Sequence, residues 1–230
     1  MSESVSNNAQ TGALSRNMKL LAHHNLDGYG GLGEGISMQQ TSDGRRILWL
    51  AHESAPKNFT GVDVTDPHKP VIVIQTALPH PRVRSNSLDV CGDLLAVAYQ
   101  TQVPGLTPAG FDLFDISTPE RPRLISHFDC SGPHSRGVHA LWFVDGKTVH
   151  MSSGAADFTP TNPLDDQFYR VVDVSEPKAP RTWTVVVPRN KTGRSGSTAC
   201  ATEGLIRYRL SSSQHERISG STRPSLPRLH

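Results

Sequence analysis

One pattern recurs three times in this chain and constrains its fold more than any other feature. It reads "VDVTDPHKP" from Val62, "FDISTPERP" from Phe114 and "VVDVSEPKAP" from Val171, and its aspartates Asp63, Asp115 and Asp173 lie 52 and then 58 residues apart. An apolar run enters Asp, then Val or Ile, then Ser or Thr, then two prolines three residues apart, and a second apolar run leaves. The first proline presets φ for a type I turn, and the residue before it, Asp66 in the first copy, can bond the turn's backbone. The second proline suits the start of an edge strand, where a missing N–H is tolerated. The pattern is therefore a corner between two strands, and His68 within it is a surface residue. An aspartate present in every copy serves its own corner, with Asp63, Asp115 and Asp173 accepting hydrogen bonds from nearby backbone.

Upstream of each corner lies a hairpin pattern: "GISMQQTSDGRRILWLAH", "NSLDVCGDLLAVAYQ" and "VHALWFVDGKTVHMSS". Asp43-Gly44, Gly92-Asp93 and Asp145-Gly146 supply the turns, as such dipeptides do between short β-rich runs. The first copy predicts strands over 35–40, 46–53, 59–65 and 70–77. Four antiparallel strands repeated at about 50 residues are the signature of a β-propeller blade. The expected fold is all-β, with four-stranded blades at about 18–78, 79–129 and 130–187, after a polar segment 1–17. The tryptophans Trp49, Trp142 and Trp183 fall in strands and are expected to pack between blades.

The corners "VDVTDPHKP", "FDISTPERP" and "VVDVSEPKAP" resemble the LVIVD-repeat β-propeller family, over about residues 18–187. The resemblance implies the propeller fold and, since that family has no single agreed activity, implies little about function. Thr65 stands where Ser is usual, and Thr118 where an acidic residue is usual.

Residues 188–230 break the pattern, with eight Ser, eight Lys or Arg against two Glu, and no further corner. They read as a low-order tail. Three blades are fewer than the four to eight that close a propeller. Either two chains pair to complete a ring, or the chain is a truncated or frame-shifted relative of a longer protein without function in this form; the abrupt change in composition favours the second.

The net charge of +2 divides unevenly, leaving about −4 on residues 1–187. A mildly acidic body argues against a nucleic-acid partner, whose phosphates demand a basic surface. Cys91, Cys130 and Cys200 form no C-x-x-C motif, and no run approaches the roughly 20 apolar residues of a membrane span. A soluble, reducing, cytoplasmic setting is expected.

In a propeller, the connections from strand 2 to 3 and from strand 4 to the next blade gather on one face. Here they are long: "ESAPKN", "TQVPGLTPA", "GAADFTPTNPLDDQ", "ALPHPRVRSN" and "DCSGPHSRG". Long loops on a rigid scaffold commonly carry binding residues. Glu34, Asn86 and His139 begin inner strands, His52 and Tyr99 end second strands, and Arg84 and Arg136 precede inner strands. Arg84, Asn86, Tyr99 and Arg136 are the expected binding residues for a small anionic or carbonyl-bearing ligand. Glu34, His52 and His139 are the residue types that hold a divalent metal, which would support a metal-assisted hydrolase or lyase instead.

Other motifs fail on context. "GYGGLG", Gly28 to Gly33, precedes a strand pattern and not a phosphate-binding helix, so no nucleotide cofactor is expected. His134 and His139 are five apart, off the helical zinc spacing, and no G-x-S-x-G or P-loop occurs. The sequence thus favours a propeller scaffold that binds a small molecule or a protein partner through its loop-rich face.

Overall fold

A computed structural model describes residues 19–186 other than 144, 163 and 164, so the segments 1–17 and 188–230 and Cys200 lie outside the described residues. The fold is all-β, in three antiparallel sheets arranged as blades. The first contains β1 (Leu32–Gln40), β2 (Arg46–His52), β3 (Lys57–Asp63) and β4 (Val71–Ala77), in that order. The second contains β5 (Val83–Arg84) and β6 (Leu88–Cys91), both paired to β7 (Leu94–Thr101), followed by β8 (Gly110–Asp115) and β9 (Arg123–Asp129). The third contains β10 (Val138–Phe143), β11 (Thr148–Ser153), β12 (Phe168–Asp173) and β13 (Arg181–Val186). Among the described residues no further sheet closes these three into a ring, and no helix is long and apolar enough to cross a membrane.

The corners form as their residues dictate. Asp63, Asp115 and Asp173 each accept the backbone N–H two residues on, from Thr65 at 2.8 Å and from Ser117 and Ser175 at 2.9 Å. The turn that follows closes in all three, Lys69 N to Asp66 O at 3.0 Å, Arg121 N to Thr118 O at 2.8 Å and Ala179 N to Glu176 O at 2.9 Å. Hydrogen bonds to Ser117 hold the Asp115 carboxyl below its ordinary pKa, and those to Ser175 do the same for Asp173. The hairpin glycines Gly44 and Gly146 take φ of +87° and +70°, a conformation glycine adopts without penalty.

The innermost strands β1, β6 and β10 lie side by side. Glu34 N and Gly35 N donate to Asn86 O at 2.7 and 3.0 Å, and Ser37 Oγ donates to Asp89 Oδ1 at 2.8 Å. Leu141 N donates to Ser87 Oγ at 3.1 Å, and Phe143 N to Asp89 Oδ2 at 3.0 Å. A Cβ on Gly33 would lie 2.7 Å from Asn86 O, which explains why glycine lines this approach.

Two apolar layers bind the sheets together. Ile47, Trp49, Ala51 and Phe59 of the first blade meet Leu88, Leu95, Val97, Tyr99 and Ile116 of the second. Ala96, Ala98, Phe111 and Leu113 of the second meet Phe143, Val149, Met151 and Val172 of the third. Each fully buried Val, Leu, Ile, Phe or Met among them contributes about 1.5–3 kcal/mol. The middle blade is covered on both faces, so β7 is buried along almost its whole length instead of alternating. Among the described residues, the buried apolar side chains clustered on the first blade's outer face are Leu26, Leu50 and Val62.

Two expectations need correction here. The inner strand of the second blade is broken around Ser85 to Ser87 into β5 and β6; Ser87 O still accepts from Ala98 N of β7 at 2.8 Å, while its Oγ accepts from Leu141 N of the third blade. Trp49 packs between blades as expected, but Trp142 and Trp183 are 63% and 46% exposed, because the third blade has no following sheet among the described residues to cover them.

Candidate functional site

A cleft of about 340 Å³ opens where the strand 2 to 3 and interblade connections gather, lined by Glu53, Arg84, Gln100, Thr101, Gln102 and Arg136. All three blades contribute. Glu53 follows β2, Arg84 ends β5, Gln100 and Thr101 end β7, and Arg136 precedes β10. The backbone is stitched across the cleft, with Thr101 N donating to Arg136 O at 2.8 Å and Gln100 bridging to Gly137.

The two guanidinium groups are held by different partners. Arg84 donates through Nε and Nη2 to Gln100 Oε1 at 3.0 and 2.7 Å, and its Nη1 pairs with the carboxylate of Glu53. Arg136 forks onto Asp166, Nε to Oδ2 at 2.6 Å and Nη2 to Oδ1 at 2.8 Å, leaving Nη1 outside that pair. The Asp166 carboxylate is buried, whereas Arg136 is one-third exposed. That hydrogen-bonded carboxylate raises the guanidinium pKa and keeps the charge fixed at the cleft wall. Glu53, by contrast, is 45% exposed and sits on a short loop, so its contact with Arg84 can be exchanged for another carboxylate.

Of the residues expected to bind a ligand, Arg84 and Arg136 meet in this cleft. Asn86 does not line it: the residue is buried, with Nδ2 3.4 Å from His139 O and Oδ1 lacking a partner. Tyr99 points between the first two blades. Its hydroxyl accepts from Asn58 Nδ2 at 2.9 Å and donates to Asp112 Oδ2 at 2.9 Å, and burial pushes the phenol pKa up.

The three expected metal ligands are not gathered, and among the described residues no group of three His, Cys, Asp or Glu side chains is placed to hold an ion. His52 is buried with Nε2 2.8 Å from Thr60 Oγ1, and burial lowers its pKa, assisted by the charge of Lys57. His139 turns its Nδ1 to Gln100 Oε1 at 3.1 Å, and Glu34 is exposed on β1. The physical reason is register. His52 and Tyr99 sit at corresponding places in β2 and β7, since Ile47 pairs with Asp63 and Leu94 with Asp115, and at that place the side chain enters a sheet face and not the loop end. "GYGGLG" runs into β1, as its context indicated.

Glu53, Gln100, Thr101, Gln102 and Asp166 were not singled out from the sequence, although four of them lie in the long loops that were and Gln100 directly precedes one. Also missed was the buried polar chain Asn58, Tyr99, Asp112 and His127, in which His127 Nδ1 lies 2.6 Å from Asp112 Oδ1. No local signal announces it, because its members come from four strands.

The fold and cleft define an open, blade-type β-sheet protein with two fixed guanidinium groups at its loop-rich end. A scan against protein-family models finds no match for this chain, and a search of curated proteins finds none either.

Proposed function

We propose that this chain is a binding scaffold whose cleft takes a small carboxylate- or carbonyl-bearing ligand. The observation that carries the reading is the pairing of Arg84 with Glu53 beside Arg136, in a cleft of about 340 Å³. That volume suits a small metabolite. An incoming carboxylate replaces Glu53 on Arg84, takes a further donor from Arg136, and leaves Gln100, Thr101 and Gln102 to select among polar groups. Guanidinium groups are the natural partners of such planar anions.

A reducing, cytoplasmic location fits the free thiols of Cys91 and Cys130. Kinship with LVIVD-repeat propellers is supported by the three Asp-anchored corners, which share one hydrogen-bond scheme.

Titration calorimetry with acetate, pyruvate, succinate and inorganic phosphate tests the reading. At least one carboxylate should bind in roughly the micromolar to millimolar range. Arg84→Gln and Arg136→Gln should each weaken it about tenfold or more, and Glu53→Gln should strengthen it by a similar factor. Binding indifferent to all three substitutions, or no binding by any of the four, would overturn the proposal.

A further inference from the structure

Strand register gives equivalent positions in the three blades. Asp63, Asp115 and Asp173 face Ile47, Leu94 and Thr148, so Leu50, Val97 and Met151 correspond, and with them their partners Ile36, Leu88 and Leu141. Two residues on, Met38, Val90 and Phe143 correspond in the same way.

In the second and third blades these positions pack against the preceding blade. Leu88 and Phe143 are 4% and 2% exposed, and Val90 and Leu141 pack on the same two interblade cores. In the first blade Ile36 and Met38 are 58% and 49% exposed. Its outer face thus presents an aliphatic surface at the positions that form junctions elsewhere in the chain.

The opposite end is complementary. The positions that reach forward to the next blade are Ser37, Asp89 and Trp142. Ser37 Oγ accepts from Val90 N at 3.2 Å, and Asp89 Oδ2 accepts from Phe143 N at 3.0 Å. Trp142 cannot accept a hydrogen bond, and the residue equivalent to Val90 and Phe143 is Met38. A third junction of this kind therefore sets an indole against a thioether, an attractive pair. Trp142, His150 and Tyr169 form an aromatic row across β10, β11 and β12, with neighbouring ring centroids 6.2 and 6.0 Å apart and His150 Nδ1 2.6 Å from Tyr169 OH.

We infer that two copies of this chain associate head to tail, the aromatic face of each third blade seated on the aliphatic face of the other's first blade, to close a ring of six blades. Three and three give a number within the range of closed propellers. The two end faces differ from one another, so the contact is heterologous, and two such contacts related by a two-fold axis leave no open end.

Light scattering on the full 230-residue chain reads the outcome. Twice the monomer mass is expected, with a thermal midpoint that rises with protein concentration. Ile36→Glu and Trp142→Glu change residues exposed in the single chain, so each should give a folded monomer by circular dichroism. An equimolar mixture of the two variants should recover dimer through the one undamaged contact. A native chain that stays monomeric at high concentration with a concentration-independent midpoint overturns the inference. So does a dimer that survives either substitution.

Discussion

Tyr99 donates its phenolic proton to Asp112, a carboxylate only 12% exposed, across 2.9 Å between neighbouring strands of the middle blade. Asn58 of the first blade donates to the same hydroxyl, so one oxygen joins a blade junction to a buried anion. Tyr99→Phe keeps the ring and deletes the joint. It should cost about 1–3 kcal/mol, because both Asn58 and Asp112 lose a partner without access to water. Urea denaturation measures it, and an unchanged midpoint would show the chain to be dispensable.

The same carboxylate shapes pH dependence. Its hydrogen bond raises the pKa of His127 above 6.5, so that side chain's contribution is complete below about 6.5 and is lost as pH rises through the folded value. Burial lowers the pKa of His52, so its contribution is present above about 6.5 and is lost as pH falls through the folded value. Stability limited by these two groups should peak near 6.5. Thermal melts from about pH 5 to 8 should show His127→Gln flattening the alkaline limb and His52→Gln the acid limb.

Asp166 holds Arg136 by two bonds from a buried position at the end of the long connection between β11 and β12. Asp166→Asn leaves the guanidinium without its counter-charge and should destabilise the fold by about 1–3 kcal/mol, less than a fully buried pair because Arg136 is partly solvated. Amide hydrogen exchange should rise first in the segments around 136 and 166. Uniform exchange across the chain would place the cost elsewhere.

A Cβ on Gly35 would lie 2.8 Å from the carbonyl carbon of Ser87. Gly35→Ala must therefore push the first two blades apart, at about 1–3 kcal/mol or more. Gly44→Ala meets open space and suffers only from its φ of +87°, about 1–2 kcal/mol. Fluorescence of Trp49, buried at that junction, should shift in the first variant and not in the second.

The parts of this fold that were readable in the sequence are those settled within a few residues. Asp63, Pro67 and Pro70 build a corner without distant help, and Asp43-Gly44 builds a hairpin, so strand order followed, while the split of the second blade's inner strand did not. The candidate site was only partly readable. Arg84 and Arg136 could be placed at a loop end by counting strands, but whether Tyr99 and His52 point into that end or into a sheet face depends on register, which a single residue's shift would invert. Asp166 lies in the connection between β11 and β12, and its partner Arg136 is 30 residues away in the sequence. Trp142 has the alternation of a buried strand position and is exposed because of what stands beside the blade, a fact absent from its neighbourhood in the chain.

The burial of β7 on both sides also governs how the chain is made. Its Leu95 and Val97 face partners already synthesised, whereas the face of Ala96, Ala98, Phe111 and Leu113 waits for Phe143, Val149, Met151 and Val172, some 30 to 76 positions later. Until β10 to β12 leave the ribosome, the nascent protein carries a sticky hydrophobic wall. Chaperone binding during translation should concentrate in that interval.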